Sequence, residues 1–357
     1  MAKDRPRRTG ARRRAASAPM EARSVDVLPE GPEWQYEPKW DGFRCRLVRQ
    51  NAGVRLFSKA GEDLTRYFPE LVEAALSLRA DDFTLDGEIV VPQGAALSFD
   101  DLLQRIHPAE SRIKRLAGET PARFIAFDLL SLDGQTLATR PLSARRPALE
   151  RFARQFKPNG RFALSPFTSS IAVARKWLAR AGGGFDGVIA KRVDVAYQAG
   201  NREGMQKIKR YRSADCVIGG FRYGERAVGG RKVVGSLLLG LYDDEGLLHH
   251  VGFTSAIKAH EKQALTEKLL PLVTTRSFTG KAPGGPSRWS TRRSDEWVPL
   301  TPRLVVEVSY DHFTGGRFRH GTSVLRWRPD KKARQCTMEQ LKQKTLNVRT
   351  LLTQRRR

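Results

Sequence analysis

The sequence predicts an α+β protein of two domains, the first mixing strands with helices and the second a small β-barrel. Three observations carry this expectation. The chain has 357 residues, a length that accommodates about two domains. Hydrophobic residues make up 40% of it, enough to build packed cores and to exclude a disordered polycation. Strand-like and helical segments alternate up to a change of character at Tyr211–Asp215, after which short strands separated by glycine turns take over.

In chain order, Val54–Phe57 and Phe83–Val91 alternate or are continuously apolar, as buried strands are. Phe68–Leu78 between them has helical spacing, with Pro69 suited to a first turn. Leu97–Ile106 and Leu142–Phe156 read as helices, the second with Ser143 as its N-cap. Phe124–Leu130 is a buried strand ending in the turn Leu132-Asp133-Gly134. Ile171–Ala181 is helical and stops at Gly182–Gly184, and Val188–Lys191 is again a strand. Beyond the change of character, Cys216–Tyr223, Gly235–Tyr242, Leu247–Thr254 and Leu304–Tyr310 read as barrel strands, interrupted by one helix at Lys258–Leu270. Residues 277–297, rich in Ser, Gly, Pro and Arg, read as a long mobile loop. The expected organisation is a disordered basic tail 1–21, domains 22–210 and 211–340, and a basic C-terminal tail 341–357.

Charge narrows the function. Sixty-four Lys and Arg against 38 Asp and Glu leave a net +26, which points to a polyanion, nucleic acid before an acidic membrane surface. The excess gathers at the ends: eight basic and two acidic residues in 1–24, eleven and two in 326–357. Both ends could follow phosphate or simply be solvated. An Arg-rich, acid-poor N-terminus also suits a mitochondrial transit peptide, but it lacks the amphipathic apolar residues of one, and it has no apolar core for a secretory signal. No run of about 18 apolar residues spans a membrane. Cys45, Cys216 and Cys336 are far apart with no CxxC spacing, which argues against zinc modules and for a reducing compartment.

One short motif carries chemistry: Glu37-Pro38-Lys39-Trp40-Asp41-Gly42-Phe43-Arg44, with core Lys-x-Asp-Gly-x-Arg. Alone it also fits an ordinary Asp-Gly turn. A lysine beside a tight glycine turn can bring its amine to a phosphorus, provided that nearby cations or desolvation make it neutral, and Arg44 could bind a nucleotide bidentately. The motif resembles motif I of the covalent nucleotidyltransferases, which include ATP-dependent DNA ligases, RNA ligases and mRNA capping enzymes. Six further stretches resemble the family's motifs in order: Leu56-Phe57-Ser58-Lys59-Ala60-Gly61, Leu85-Asp86-Gly87-Glu88-Ile89-Val90, Phe127-Asp128, Asp186-Gly187-Val188-Ile189-Ala190-Lys191, Lys207-Ile208-Lys209 and Arg326-Trp327-Arg328-Pro329-Asp330-Lys331. The wording EPKWDGFR, LDGEIV, FDLLSLDG and LRWRPDK is most similar to the bacterial ATP-dependent DNA ligases, DNA ligase C and the ligase domain of DNA ligase D.

That resemblance implies a nucleotidyltransferase (adenylation) domain of antiparallel sheets with helices, followed by an OB-fold β-barrel that binds nucleic acid. It implies that Lys39 attacks the α-phosphate of ATP and carries AMP covalently. Glu37 and the Lys39 backbone read the adenine edge, Phe127 stacks on adenine, and Arg44 and Glu88 contact the nucleotide. Glu88 and Asp186 serve a Mg²⁺ or Mn²⁺ ion, although Asp186 stands where most members have Glu. Lys191, Lys207 and Lys209 neutralise phosphate, and Lys207 and Lys209 alternate onto one strand face. Lys59 replaces an arginine that holds ribose or the 5′-phosphate of a nick, and an ammonium cannot make that bidentate contact. Arg328, Asp330 and Lys331 orient the departing pyrophosphate. The implied substrate is nicked duplex DNA, sealed by a monomer in the bacterial cytoplasm on the nucleoid during DNA repair. A repair polymerase or primase-polymerase and Ku are the implied partners. With 38 residues before Lys39, grip on DNA is expected from two domains and the basic ends. An RNA ligase or capping-type guanylyltransferase, and a non-catalytic DNA-binding protein, remain the competing readings.

Overall fold

A computed structural model describes residues 18–228, 230–284, 296–342 and 346–353. The expected tail segment 1–17 and most of the expected loop 277–297 lie outside them. The chain divides into two compact units: one runs to Arg210 and takes back the C-terminal helix, and the other begins at Tyr211.

In the first unit the main elements are β1 (Trp34–Trp40), β2 (Phe43–Gln50), β3 (Gly53–Ser58), α1 (Pro69–Leu76), β4 (Asp82–Val90), α2 (Phe99–Gln104), α3 (Glu110–Glu119), β5 (Arg123–Leu132), α4 (Leu142–Phe152), β6 (Phe162–Leu164), α5 (Ile171–Ala179), β7 (Phe185–Arg192) and β8 (Met205–Lys209). Two sheets result. β1, β7 and β8 pair antiparallel, and the two-residue strand Arg23–Ser24 joins the β8 edge in parallel. The second sheet has the order β6-β5-β4-β2-β3, antiparallel except for β6 on β5. Leu47, Leu56, Leu71, Phe83, Leu85, Phe124 and Leu149 pack between the second sheet and its helices. Tyr36, Trp40, Phe185 and Ile208 of the first sheet share an apolar cluster with Val90 and Ile125 of the second, which joins the two sheets.

Local signals account for most of these elements, and two expectations need correction. Pro69 does occupy the first turn of α1. Ser143 is not the cap of α4: the N-cap is Pro141, with no side-chain cap. The first amides, Leu142 and Ser143, donate instead to the carbonyls of Val195 and Val193, so a neighbouring segment satisfies what a serine cap would have. Helix α3 was not foreseen, because only Ile113 and Leu116 of its ten residues are buried.

The second unit holds β9 (Arg212–Val228), β10 (Arg231–Tyr242), β11 (Leu248–Thr254), α6 (Lys262–Leu269), β12 (Val305–Tyr310) and β13 (Ser323–Trp327). Its sheet has the order β11-β10-β9-β12-β13, with Val298–Pro299 added on β9. Register shifts along β9 and β10 bend it. Among the described residues this sheet is open where the sequence led to the expectation of a small β-barrel. β13 is five residues long and, among the described residues, ladders with β12 alone. It approaches β11 through a threonine contact: Thr254 Oγ1 donates to the Thr322 carbonyl at 2.7 Å, and Thr322 Oγ1 to the Phe253 carbonyl at 3.1 Å.

The last helix, α7 (Val348–Thr353), belongs to the first unit. Val348 and Leu351 are buried there, and the Val348 amide donates to the Ala95 carbonyl. The stretch read as a basic tail therefore contains an apolar anchor, its i, i+3 spacing hidden among lysines and arginines. Residues 18–21 are likewise fixed, with Met20 buried. All three cysteines are buried and free. Among the described residues no helix is long and apolar enough to cross a membrane.

Candidate active site

Two close backbone approaches and two bulges shape the site. Gly42 lies so near β4 that a Cβ there would collide with the Ile89 carbonyl, and a Cβ on Gly187 would collide with that of Ile208. Only glycine permits either packing. The pairing of β7 with β1 shifts register between Phe185 and Val188. Asp186 and Gly187 sit in that bulge, which turns the Asp186 carboxylate onto Lys39. A second shift, between Asp86 and Gly87 of β4, leaves Phe127 as the extra residue of β5. Phe127 is thereby half-exposed between buried Ala126 and Asp128.

These strands enclose a cavity of about 370 Å³ in the first unit, lined among others by Glu37, Lys39, Arg44, Lys59, Glu88, Phe127, Lys191 and Lys207. Eight of the residues singled out in the sequence thus share one wall system. Lys39 Nζ donates to Asp186 Oδ1 at 2.7 Å, and Lys209 Nζ lies 3.3 Å from Asp186 Oδ2. Asp186, buried, therefore bridges the two lysines. Burial holds the Lys207 ammonium below its ordinary range, assisted by Lys39 and Lys209. Glu88 accepts from the Gly42 amide at 3.2 Å. Burial pushes its carboxyl up to about 8, against the attraction of Lys39 and Arg44.

Around Phe127 the cavity lining is suited to a flat ring. The Phe127 ring has Lys191 Nζ 4.6 Å from its centre and the Arg44 guanidinium at 5.4 Å, both within cation–π range. Lys191 Nζ donates to Glu37 Oε1 at 2.8 Å, and Gln35 Nε2 donates to the same oxygen at 3.0 Å. Glu37 is thus a held acceptor at the pocket floor, 2% exposed. Arg44 is engaged more firmly than its sequence suggests. Its Nε and Nη2 donate bidentately to Asp86 at 3.1 and 2.7 Å, and although burial works against the charge, Asp86 raises the Arg44 pKa overall. Tyr197 Oη donates to the same carboxylate at 2.6 Å. The guanidinium fork that the sequence offers to a nucleotide is held by this aspartate.

At the mouth, Lys59 Nζ lies 3.0 Å from Glu21 Oε1, and Arg202 donates to Glu21 Oε2 at 2.7 Å. The remaining sequence candidates belong to the second unit. There Arg328 Nη1 donates to Asp215 at 2.9 Å and its Nη2 to Asp330 at 2.8 Å, while Lys331 Nζ donates to Asp215 at 2.6 Å. Asp330 is held down to about 2 by Arg328.

Among the described residues no three or more His, Cys, Asp or Glu converge as a metal cage. A hard divalent cation held mainly by phosphate and water needs only one or two carboxylates; Glu88 lines the cavity, whereas the two Asp186 oxygens are engaged by Lys39 and Lys209.

Sequence reasoning passed over Asp86, Glu21 and Arg202. Asp86 stood inside a motif whose glutamate drew the attention. Glu21 and Arg202 are 181 positions apart, and no local pattern joins them.

The chain is similar to known proteins over most of its length. The family model described as ATP dependent DNA ligase domain matches residues 19–209, and that of the ATP dependent DNA ligase C terminal region matches 230–331. DNA ligase C2 of Mycolicibacterium smegmatis is 44% identical over 339 residues, 91% of this chain and 94% of that one. The multifunctional non-homologous end joining protein LigD of Mycobacterium bovis is 34% identical over 312 residues, 86% of this chain and 38% of that longer protein. In fold, the chain is similar to a solved Lig E DNA ligase with a TM-score of 0.52 at 18% identity, over 87% of this chain and 99% of that one. The chain belongs to the ATP-dependent DNA ligase family.

Proposed function

We propose that this ligase seals nicks in duplex DNA through an AMP carried on Lys39. The observation that supports this is the convergence of Lys39, Lys207, Glu88, Arg44, Phe127 and Lys191 from two sheets on one cavity. The neutral Lys39 amine attacks the α-phosphorus of ATP and gives up one N–H proton to solvent as the N–P bond forms. The bond from that phosphorus to the bridging oxygen breaks, and pyrophosphate leaves with its electron pair. A 5′-phosphate oxygen of the nick then attacks the same phosphorus, the N–P bond breaks, and Lys39 nitrogen regains its proton. The 3′-hydroxyl finally attacks the 5′-phosphorus, loses its proton and expels AMP.

The residues divide these tasks. Asp186 Oδ1, 2.7 Å from Lys39 Nζ, orients the amine. Burial and then Lys39 hold Lys207 below its ordinary range, so positive charge is concentrated around the proposed nucleophile. The same cations neutralise phosphoryl oxygens in flight, which is the main demand of in-line phosphoryl transfer. Phe127 offers its face to adenine, and Glu37 and Lys191 its edge contacts. Mg²⁺ or Mn²⁺, when bound at Glu88, supplies charge neutralisation on the phosphates. Arg328, Asp330 and Lys331 serve pyrophosphate release. The setting is DNA repair in the cytoplasm, and a repair polymerase or Ku is the class of partner.

The test is sealing of a labelled nicked duplex with ATP or GTP, using 3′-deoxy or 3′-ribonucleotide ends. Sealing with ATP alone is expected. Labelling by GTP in place of ATP would favour a capping-type guanylyltransferase.

A further inference from the structure

We infer that Glu21 is an internal placeholder for a phosphate monoester, and that it makes the mouth of the cavity selective for a terminal 5′-phosphate. This rests on the nick-sealing reading above. Residues 19–25 are held through their own backbone groups: Gly200 N–H donates to Pro19 O, Met20 N–H to Tyr197 Oη, Glu21 N–H to Asn201 O and Val25 N–H to Lys207 O, and the Met20 side chain is buried. Arg23 and Ser24 pair with Gln206 and Lys207. The segment is thus an edge strand on the strand that carries Lys207, and it delivers the Glu21 side chain into the cavity lining.

There the two carboxylate oxygens divide between two cations from separate elements. Oε1 faces Lys59 at 3.0 Å and Oε2 faces Arg202 at 2.7 Å. Hydrogen bonds from Lys59 and then Arg202 hold the Glu21 carboxyl below its usual range, so it is anionic at neutral pH. The anchored partner is the anion: Glu21 is 23% exposed, whereas Lys59 and Arg202 are 58% and 67% exposed. Ion pairs this exposed contribute little to folding, so stability does not explain the arrangement. Two oxygens each facing a cation also describes how two non-bridging phosphate oxygens would sit.

Charge then decides what displaces it. An internal phosphodiester carries one negative charge, no more than Glu21 itself. A terminal phosphate monoester carries close to two at neutral pH and wins the two cations. Glu21 so disfavours unbroken backbone and 5′-hydroxyl ends while yielding to a 5′-phosphate, the only end that can take AMP from Lys39. Its role is to set specificity, since it touches the cations and not the reacting atoms.

The experiment compares the full chain with Glu21→Gln and Arg202→Gln in fluorescence anisotropy, on nicked duplexes ending in 5′-phosphate or 5′-hydroxyl. Glu21→Gln should tighten binding of both and reduce the preference for 5′-phosphate by about fivefold, the scale of an exposed charge pair. Arg202→Gln should weaken only the 5′-phosphate duplex. In the unsubstituted protein the preference should shrink as pH falls below about 6, where the monoester gains a proton. An unchanged preference in Glu21→Gln, with a melting curve like that of the parent, overturns the inference. AMP labelling of the unsubstituted protein from ATP is measured alongside: its absence would overturn the nick-sealing reading itself, and its presence with an unchanged preference would overturn only the role of Glu21.

Discussion

Lys39, Asp186 and Lys209 form a chain of charge in which one buried carboxylate serves two ammonium groups. The same economy recurs at Asp86, which takes both Arg44 and Tyr197. Removing that aspartate leaves a largely buried guanidinium without its partner. Asp86→Ala is therefore expected to cost about 3–5 kcal/mol in urea unfolding, and a loss below about 1 kcal/mol would show that Arg44 is paired elsewhere. Glu88 gives a pH signature. Its carboxyl titrates near 8 in the folded chain against 4.5 for the ordinary group. A raised acid pKa means that the folded state holds the proton more tightly. This contribution to stability is complete below the unfolded value and is lost as pH rises to about 8. Glu88→Gln should thus flatten the decline in melting temperature between pH 4.5 and 8; an identical decline in the variant would assign the titration to another group. Lys39, Glu88, Phe127 and Lys207 were legible in the sequence because each stands in a short motif. Asp86 was spelled out in the same text, but its partner across the sheet could not be read there.

At the scale of elements, the site depends on bulges and on backbone contact more than on helices. β1, β4 and β7 each carry an Asp-Gly or Lys-x-Asp-Gly sequence at or just beyond the point where neighbouring strands meet most closely. Gly187→Ala should force β7 away from β8, lowering stability by about 1–3 kcal/mol and reducing AMP labelling, because Asp186 moves with the bulge. Normal labelling and stability in that variant would remove the bulge from the account. Strands were readable from alternation and apolar runs, and α1 from Pro69. Helix α3 was not, since two buried residues in ten make too thin a stripe. The short, closely spaced strands of the second unit read as a small barrel, but strand spacing reports how many strands pair, not whether the last meets the first. In the structure a pair of threonine contacts stands where a ladder would close it.

For the whole molecule, the net charge of +26 has two kinds of use. Lys39, Arg44, Lys59, Lys191 and Lys207 face a nucleotide-sized cavity. Much of the remainder lies at the ends, and residues 1–17 alone hold seven basic and one acidic side chain. Deleting residues 1–17, which leaves Met20 and Glu21 in place, should make the dependence of log affinity on log salt shallower by about 0.9 for each phosphate that the tail had neutralised. An unchanged slope on nicked duplex would deny the tail any part in DNA binding. The most direct test of the central claim is incubation of the unsubstituted chain and Lys39→Ala with ATP labelled at the α-phosphate. Covalent label on the parent and none on the variant is the expected result, and label persisting on Lys39→Ala would contradict the assignment of the nucleophile.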